Sequence, residues 1–290
     1  MAEVEEDCPP TWPGYVLALT FALLFALMMT VMIIWATRRN KAGKRIRDAA
    51  SNNRYCTQSP ADCTIVQPAT IDLPPWSIEY SAATASDFLL MIDNVYQGKL
   101  PTHYSKSLQW EPLGDLGYIV TTNDVTYIVL RGTDVDQEEE VRANLRMAQV
   151  PYDGLLCHRG YVEITNDLLP TIDAALGPDP TNVFITGHSL GAAVGMLVAQ
   201  RLALTHDVVV YNFGSPRVCN CADIAGFTLF NIQNMLDPVT SYPPSVTPDK
   251  NDLYFYCEHG VAMRFQDNRL SLSQNHALTT YFGNVPVDGV

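Results

Sequence analysis

The chain has 290 residues, 47% of them hydrophobic, 10% aromatic and 17% charged, which excludes a disordered or collagen-like polymer and leaves ample material for a buried core. Its formal net charge is −13, from 18 Lys+Arg against 31 Asp+Glu. Six of those cations crowd into residues 38–47, while residues 49–290 carry 12 cations against 26 anions. An acidic globule whose basic cluster is short and abuts an apolar run is not a nucleic-acid binder.

Residues 1–12 read as an acidic tail with Glu3, Glu5, Glu6 and Asp7. Within the predicted transmembrane helix 13–36, the stretch 15–36 contains no charge, and its 22 residues span roughly 33 Å as a helix, enough for a bilayer core of about 30 Å. Trp12 and Tyr15 mark one interface and Trp35 the other. The acidic start and the length of the apolar run favour an uncleaved anchor over a signal peptide. Residues 37–55 follow as a basic linker, with Arg38, Arg39, Lys41, Lys44, Arg45 and Arg47. The positive-inside rule then predicts a single-pass protein whose large domain, 56–290, is cytosolic. The absence of any Asn-x-Ser/Thr acceptor agrees with that side. The six cysteines of the large domain point the other way, because an even number suits three disulfides in a lumenal domain.

Cys219, Cys221, Cys257 and His259 offer four soft ligands, yet their one-residue gaps are shorter than those of structural zinc sites, so neither a metal nor a cofactor is expected. The segment SIEYSAATASDFLLMIDNVY (77–96) has helical spacing of apolar groups from Ile78 to Tyr96. GYIVTT (117–122) and TYIVL (126–130) are β-rich runs separated by Asn123-Asp124, a hairpin signal. A helix around 160–169, a strand NVFIT (182–186), a helix over 190–204 and a strand DVVVYNF (207–213) alternate as in a βαβ unit. FTLFNI (227–232) and LYFYC (253–257) supply further strands. The pattern predicts an α/β-hydrolase-like mixed sheet with helices on both faces and ligands at the carboxyl ends of its strands.

Between NVFIT and the next helix stands Gly187-His188-Ser189-Leu190-Gly191. A sharp strand-to-helix turn there lifts the Ser189 hydroxyl above the sheet edge, and Gly187 and Gly191 are needed because a Cβ would strike the neighbouring strand or helix. A serine hydroxyl becomes a nucleophile only when a base takes its proton, and the base needs a carboxylate to fix its tautomer. Asp237, just after FTLFNI, is the acid expected at the same edge; Asp223, Asp249 and Asp252 lack a preceding strand. For the base, His276 leaves 39 residues after Asp237 for the chain to return, whereas His259 leaves 22. His276 is preferred, His103, His158 and His206 read as structural, and His188 points beneath the serine. The amide of Leu190, at the positive end of a helix, and the amide and hydroxyl of Thr133, after TYIVL, are the expected oxyanion donors.

The blocks VLRGT (129–133), HRGYVE (158–163), VFITGHSLGAAVGMLVA (183–199), YNFGSPRV (211–218), DPVTSYPP (237–244) and NHALTTY (275–281) together resemble the class 3 lipases, a family that includes fungal triacylglycerol lipases and sn-1-specific diacylglycerol lipases. The resemblance covers about residues 77–290. It implies an α/β-hydrolase fold, hydrolysis of lipid carboxylic esters, the triad Ser189, Asp237 and His276, and an oxyanion hole at Thr133 and Leu190. It also implies a lid between the oxyanion strand and the HRGYVE block. In DVDQEEEVRANLRMAQVPYDGLL (134–156), Val141, Leu145 and Ala148 share one helical face, with Glu138, Glu139, Glu140 and Arg142 on others; an ordinary charged surface helix is the alternative. Cys219 stands where the family often has glycine, so the turn there should differ. The expectation is a membrane-anchored serine esterase with a lipid ester as substrate. An acyltransferase using the same elbow, or a silent membrane-bound scaffold, is the rival.

Overall fold

The computed structural model describes residues 73–98, 109–122, 124–132, 147–176, 182–224, 226–249 and 252–287. The chain separates into the units Met1–Gln67 and Pro68–Val290, and all described residues belong to the second. The expected tail, membrane span and basic linker therefore lie outside the described residues. Among the described residues, no helix is long and apolar enough to cross a membrane.

Among the described residues, seven strands form one sheet in the order β1-β2-β3-β6-β7-β8-β11. β1 (Gln109–Pro112), β2 (Gly117–Thr121) and β3 (Val125–Leu130) are antiparallel neighbours, and where β2 gives way to β3 the Thr122 amide donates to the Val125 carbonyl. From β3 onward the sheet is parallel through β6 (Asn182–His188), β7 (Asp207–Phe213), β8 (Thr228–Asn234) and β11 (Val261–Phe265). The mixed sheet of the sequence reading is thus present, with two differences. The aromatic run at 253–257 is not a main-sheet strand: β10 (Asp252–Phe255) pairs with β9 (Val246–Asp249) in a separate two-stranded ribbon, and β11 takes the edge instead. The distal part of the expected lid interval is also a ribbon, with β4 (Gln149–Tyr152) antiparallel to β5 (Leu155–His158) around Asp153-Gly154.

The central strands β3, β6 and β7 bury both faces, which explains their unbroken apolar runs. Their side chains alternate between two cores. Ile128, Leu130, Val183, Ile185, Val208 and Val210 meet helices α2 (Arg159–Leu176) and α3 (Leu190–Leu202) through residues such as Tyr161, Ile172 and Leu197. Tyr127, Val129, Phe184, Val209 and Tyr211 face the other way onto α1 (Ala82–Tyr96), whose Phe88, Leu89, Met91 and Ile92 are fully buried. Each such side chain contributes roughly 1.5–3 kcal/mol. Ser81 caps α1 by accepting from the Thr84 amide. Two short helices, α4 (Leu272–His276) and α5 (Leu278–Phe282), close the domain.

Because β3, β6, β7, β8 and β11 are parallel, their carboxyl ends share one edge of the sheet. The chain leaves that edge after Leu130, His188, Phe213, Asn234 and Phe265.

Candidate active site

Strand β6 ends at His188 and helix α3 starts at Leu190, so the whole change of direction falls on Ser189, whose φ of 58° and ψ of −124° lie in a region that L-residues avoid. The elbow holds because its backbone is pinned on both sides. The Ser189 amide donates to the Phe213 carbonyl at 3.0 Å, and the Ser189 carbonyl accepts from Ala192 and Ala193. Both glycines sit where no Cβ fits. One on Gly187 would come within 2.4 Å of the Gly191 carbonyl oxygen, and one on Gly191 within 2.3 Å of the Arg131 carbonyl oxygen. β3, β6 and α3 can approach this closely only with hydrogen at those two positions.

The Ser189 hydroxyl lies 2.8 Å from His276 Nε2, across 87 residues of sequence. His276 Nδ1 in turn lies 2.7 Å from Asp237 Oδ2, across 39 residues. A carboxylate oxygen can only accept, so the imidazole carries its hydrogen on Nδ1, and the Nε2 lone pair is left to take the serine proton. Asp237 is 2% exposed, and its two oxygens are fully engaged. Oδ1 accepts from the Val239 amide at 2.9 Å, capping the turn Pro238–Ser241, and Oδ2 accepts both from His276 and from the Tyr281 hydroxyl at 2.6 Å. Burial, beside the Asp237 carboxylate, pushes the Tyr281 phenol well above its ordinary value, which keeps it a donor. The acid and base segments are also tied to one another by asparagines. Asn234 donates to the Asn275 carbonyl, and Asn275 donates to the Leu236 carbonyl.

His188 lies beneath the serine, as its place in the elbow suggested, but it also has a specific task. Its ring stacks on that of His276 with centroids 4.7 Å apart. Burial first, and then the nearby His276, hold its pKa well below the ordinary imidazole value, so the ring is neutral. Nε2 lies 2.9 Å from the His276 carbonyl, an obligate acceptor, so Nε2 carries the hydrogen and Nδ1 accepts from the Tyr96 hydroxyl at 2.8 Å. The Tyr96 oxygen accepts in its turn from the Gly132 amide at 2.7 Å. One directed chain of hydrogen bonds thus runs from the end of β3, through α1 and the elbow, to the backbone of the base.

Of the expected oxyanion donors, Leu190 opens α3, where the first amides have no carbonyl partner within the helix. Thr133 lies outside the described residues. Its neighbour Gly132 abuts the elbow so closely that a Cβ there would stand 2.7 Å from the Ser189 Cβ. The rejected candidates lie elsewhere: His158 is buried in a stack with Tyr161, and the His259 carbonyl accepts from Asn231 ahead of β11. Cys157 is bonded to Cys219 and Cys221 to Cys257, so the thiols of the weighed zinc set are in disulfides, while Cys56 and Cys63 lie outside the described residues. Tyr96 and Tyr281 are the site residues that sequence reasoning missed. The only signal was Tyr281 standing at the end of the block that carries His276.

Residues 127–247 match the family model for lipase (class 3), a span that holds Ser189 and Asp237. A lipase of Rhizopus niveus is 25% identical over 210 residues, covering 55% of this chain and 54% of that protein. The chloroplastic phospholipase A(1) DAD1 of Arabidopsis thaliana is 36% identical over 83 residues, covering 26% of this chain and 19% of that protein. The chain thus spans about half the length of the curated fungal lipases it matches, or less for the plant phospholipases. Among solved structures, the lipase from Rhizopus microsporus var. chinensis aligns with a TM-score of 0.45 at 21% identity, over 76% of this chain and 94% of that one.

Proposed function

We propose, from the match of residues 127–247 to the family model for lipase (class 3), that this protein is a serine hydrolase of glycerolipid carboxylic esters, held at its substrate by the apolar segment 13–36. One observation carries the reading. Three residues far apart in sequence form a relay at the carboxyl edge of the sheet, with 2.8 Å from hydroxyl to imidazole and 2.7 Å from imidazole to carboxylate.

Ser189 Oγ attacks the ester carbonyl while His276 Nε2 takes its proton, and Asp237 keeps the imidazole oriented and offsets the charge it gains. The negative oxygen that develops is met by the Leu190 amide and, in this reading, by Thr133. His276 then protonates the departing glyceride oxygen, leaving an acyl group on Ser189. Water, activated by the same imidazole, attacks that acyl-enzyme and releases a fatty acid. Binding the chain to a membrane raises the local concentration of the site relative to lipid without a separate adsorption step.

For the compartment, the two disulfides weigh more than the cationic linker. Such bonds persist in oxidising surroundings, whereas the positive-inside rule is a statistical bias on insertion. The domain is accordingly assigned to a lumenal or extracellular side, opposite to the side the flanking charges favour.

The test is a panel of defined acylglycerols and phospholipids with the full chain and Ser189→Ala. Ester cleavage should fall by at least about 10³-fold in the variant, together with labelling by a fluorophosphonate. Retained cleavage and labelling would overturn the assignment. Products formed with and without added glycerol separate hydrolysis from acyl transfer, and an inert parent chain would leave only a scaffold.

A further inference from the structure

We propose that the loop between β11 and α4, residues 266–271, together with Leu272, inserts into the apolar boundary of a zwitterionic lipid surface and seats the mouth of the site on it; this rests on the lipase reading above. β11 is parallel to β8, so this loop leaves the same edge of the sheet as Ser189 and Asp237, and it leads within a few residues to His276.

Leu270 stands in an unusual backbone conformation. It is 90% exposed, and its φ of 58° is one that residues with a Cβ occupy at a cost. A fold that merely needed a turn would place glycine or asparagine there and would not display a leucine. The conformation is actively held. The Leu270 amide donates to Asn268 Oδ1 at 2.9 Å, the Arg269 amide donates to Asn275 Oδ1 at 2.8 Å, and the Arg269 guanidinium pairs with Asp267 at 2.7 Å. Asn234 donates to the Asp267 carbonyl and accepts from the Asp267 amide. Asn234 and Asn275 are the side chains that tie the acid segment to the base, so the presented leucine is rigidly referenced to the reacting groups.

Leu270 also has apolar company. Leu272 is 50% exposed, and Met235 is 62% exposed where β8 ends against β11, its amide donating to the Phe265 carbonyl. Single exposed apolar residues need no explanation, but three on the functional edge, one in an unfavourable conformation, form an insertion tip. Arg269 is already paired, and residues 49–290 carry a large excess of anions. Insertion is therefore apolar rather than electrostatic, and it favours neutral over anionic headgroups.

The experiment uses the full chain reconstituted in phosphatidylcholine vesicles. In Leu270→Ser/Leu272→Ser, the ratio of turnover on vesicle-embedded diacylglycerol to turnover on a dissolved short-chain ester should fall about tenfold, and raising the salt concentration should not alter the parent's ratio. In Leu270→Trp, the emission added over the parent should be quenched by phosphatidylcholine brominated along its acyl chains. An unchanged ratio, or an added tryptophan that is not quenched, overturns the inference and leaves ester hydrolysis standing. A blue-shifted but unquenched tryptophan means that protein rather than lipid covers the loop, which also overturns it. Loss of activity on every ester in the parent would instead sink the lipase reading, while the quenching still reports on the loop.

Discussion

Gly214 offers a direct way to disturb the relay without touching any of its members. It follows β7, its amide donates to the Ile232 carbonyl, and its φ is 58°. A Cβ added there would stand 2.8 Å from the Tyr281 hydroxyl, 3.0 Å from Asp237 Oδ2 and 3.2 Å from His276 Cε1. The three nearest atoms thus belong to the acid–base pair or to the tyrosine that donates to it, and relief requires moving the carboxylate, the imidazole or the tyrosine. The left-handed backbone costs an alanine about 1–2 kcal/mol, and pressing a methyl into a filled space adds about 1 kcal/mol or more. A loss of about 3 kcal/mol lowers Tm by roughly 6–12 °C for a domain of this size. Function should suffer more than stability, because a displacement approaching 1 Å at the reacting groups costs about 10²-fold in rate. Gly214→Ala should therefore retain a cooperative unfolding transition, assayed by calorimetry, while kcat on a short-chain ester falls about 10²-fold with little change in KM. An unchanged kcat, whatever the change in Tm, would refute the argument that the space beside Gly214 sets the alignment of Asp237 and His276.

His188 makes a prediction about pH. Burial holds its pKa well down, so in the folded protein the ring stays neutral below the pH at which the unfolded chain takes up a proton, near 6.5. The unfolded state then binds more protons, and stability must fall as pH drops below about 6.5, by up to about 1.4 kcal/mol per pH unit; His259, depressed chiefly by burial, adds in the same direction. Urea unfolding between pH 7.5 and 5 should show a shallower slope in His188→Gln, and an identical slope would count against the neutral buried imidazole. For the compartment, protease added to sealed microsomes should leave the large domain intact until detergent is added. Digestion without detergent would put the disulfide-bearing domain on the cytosolic side.

The parts of this molecule that could be read from the sequence are those specified locally. The elbow was legible because strand, turn and helix are contiguous and because Gly187 and Gly191 have no alternative at those close approaches. Asp237 and His276 were legible through chain order and the strand that precedes the acid. The aromatic run at 253–257 misled because apolar content does not reveal a strand's partner. Phe255 and Leu253 are exposed on the β9–β10 ribbon while Tyr256 turns inward, whereas the true edge strand β11 is short and carries Arg264. Tyr96 and Tyr281 were invisible for a similar reason. A buried tyrosine on a helix looks like core packing until the acceptor of its hydroxyl is known, and those acceptors lie 92 and 44 residues away.

The line from Gly132 through Tyr96 and His188 to the carbonyl of His276 has a consequence for heredity. Each of these bonds sets the orientation of the next member, so replacing one disturbs the pairing of its neighbours beneath Ser189. Tyr96 and His188 should therefore change together, so that relatives lacking one of them lack the other as well.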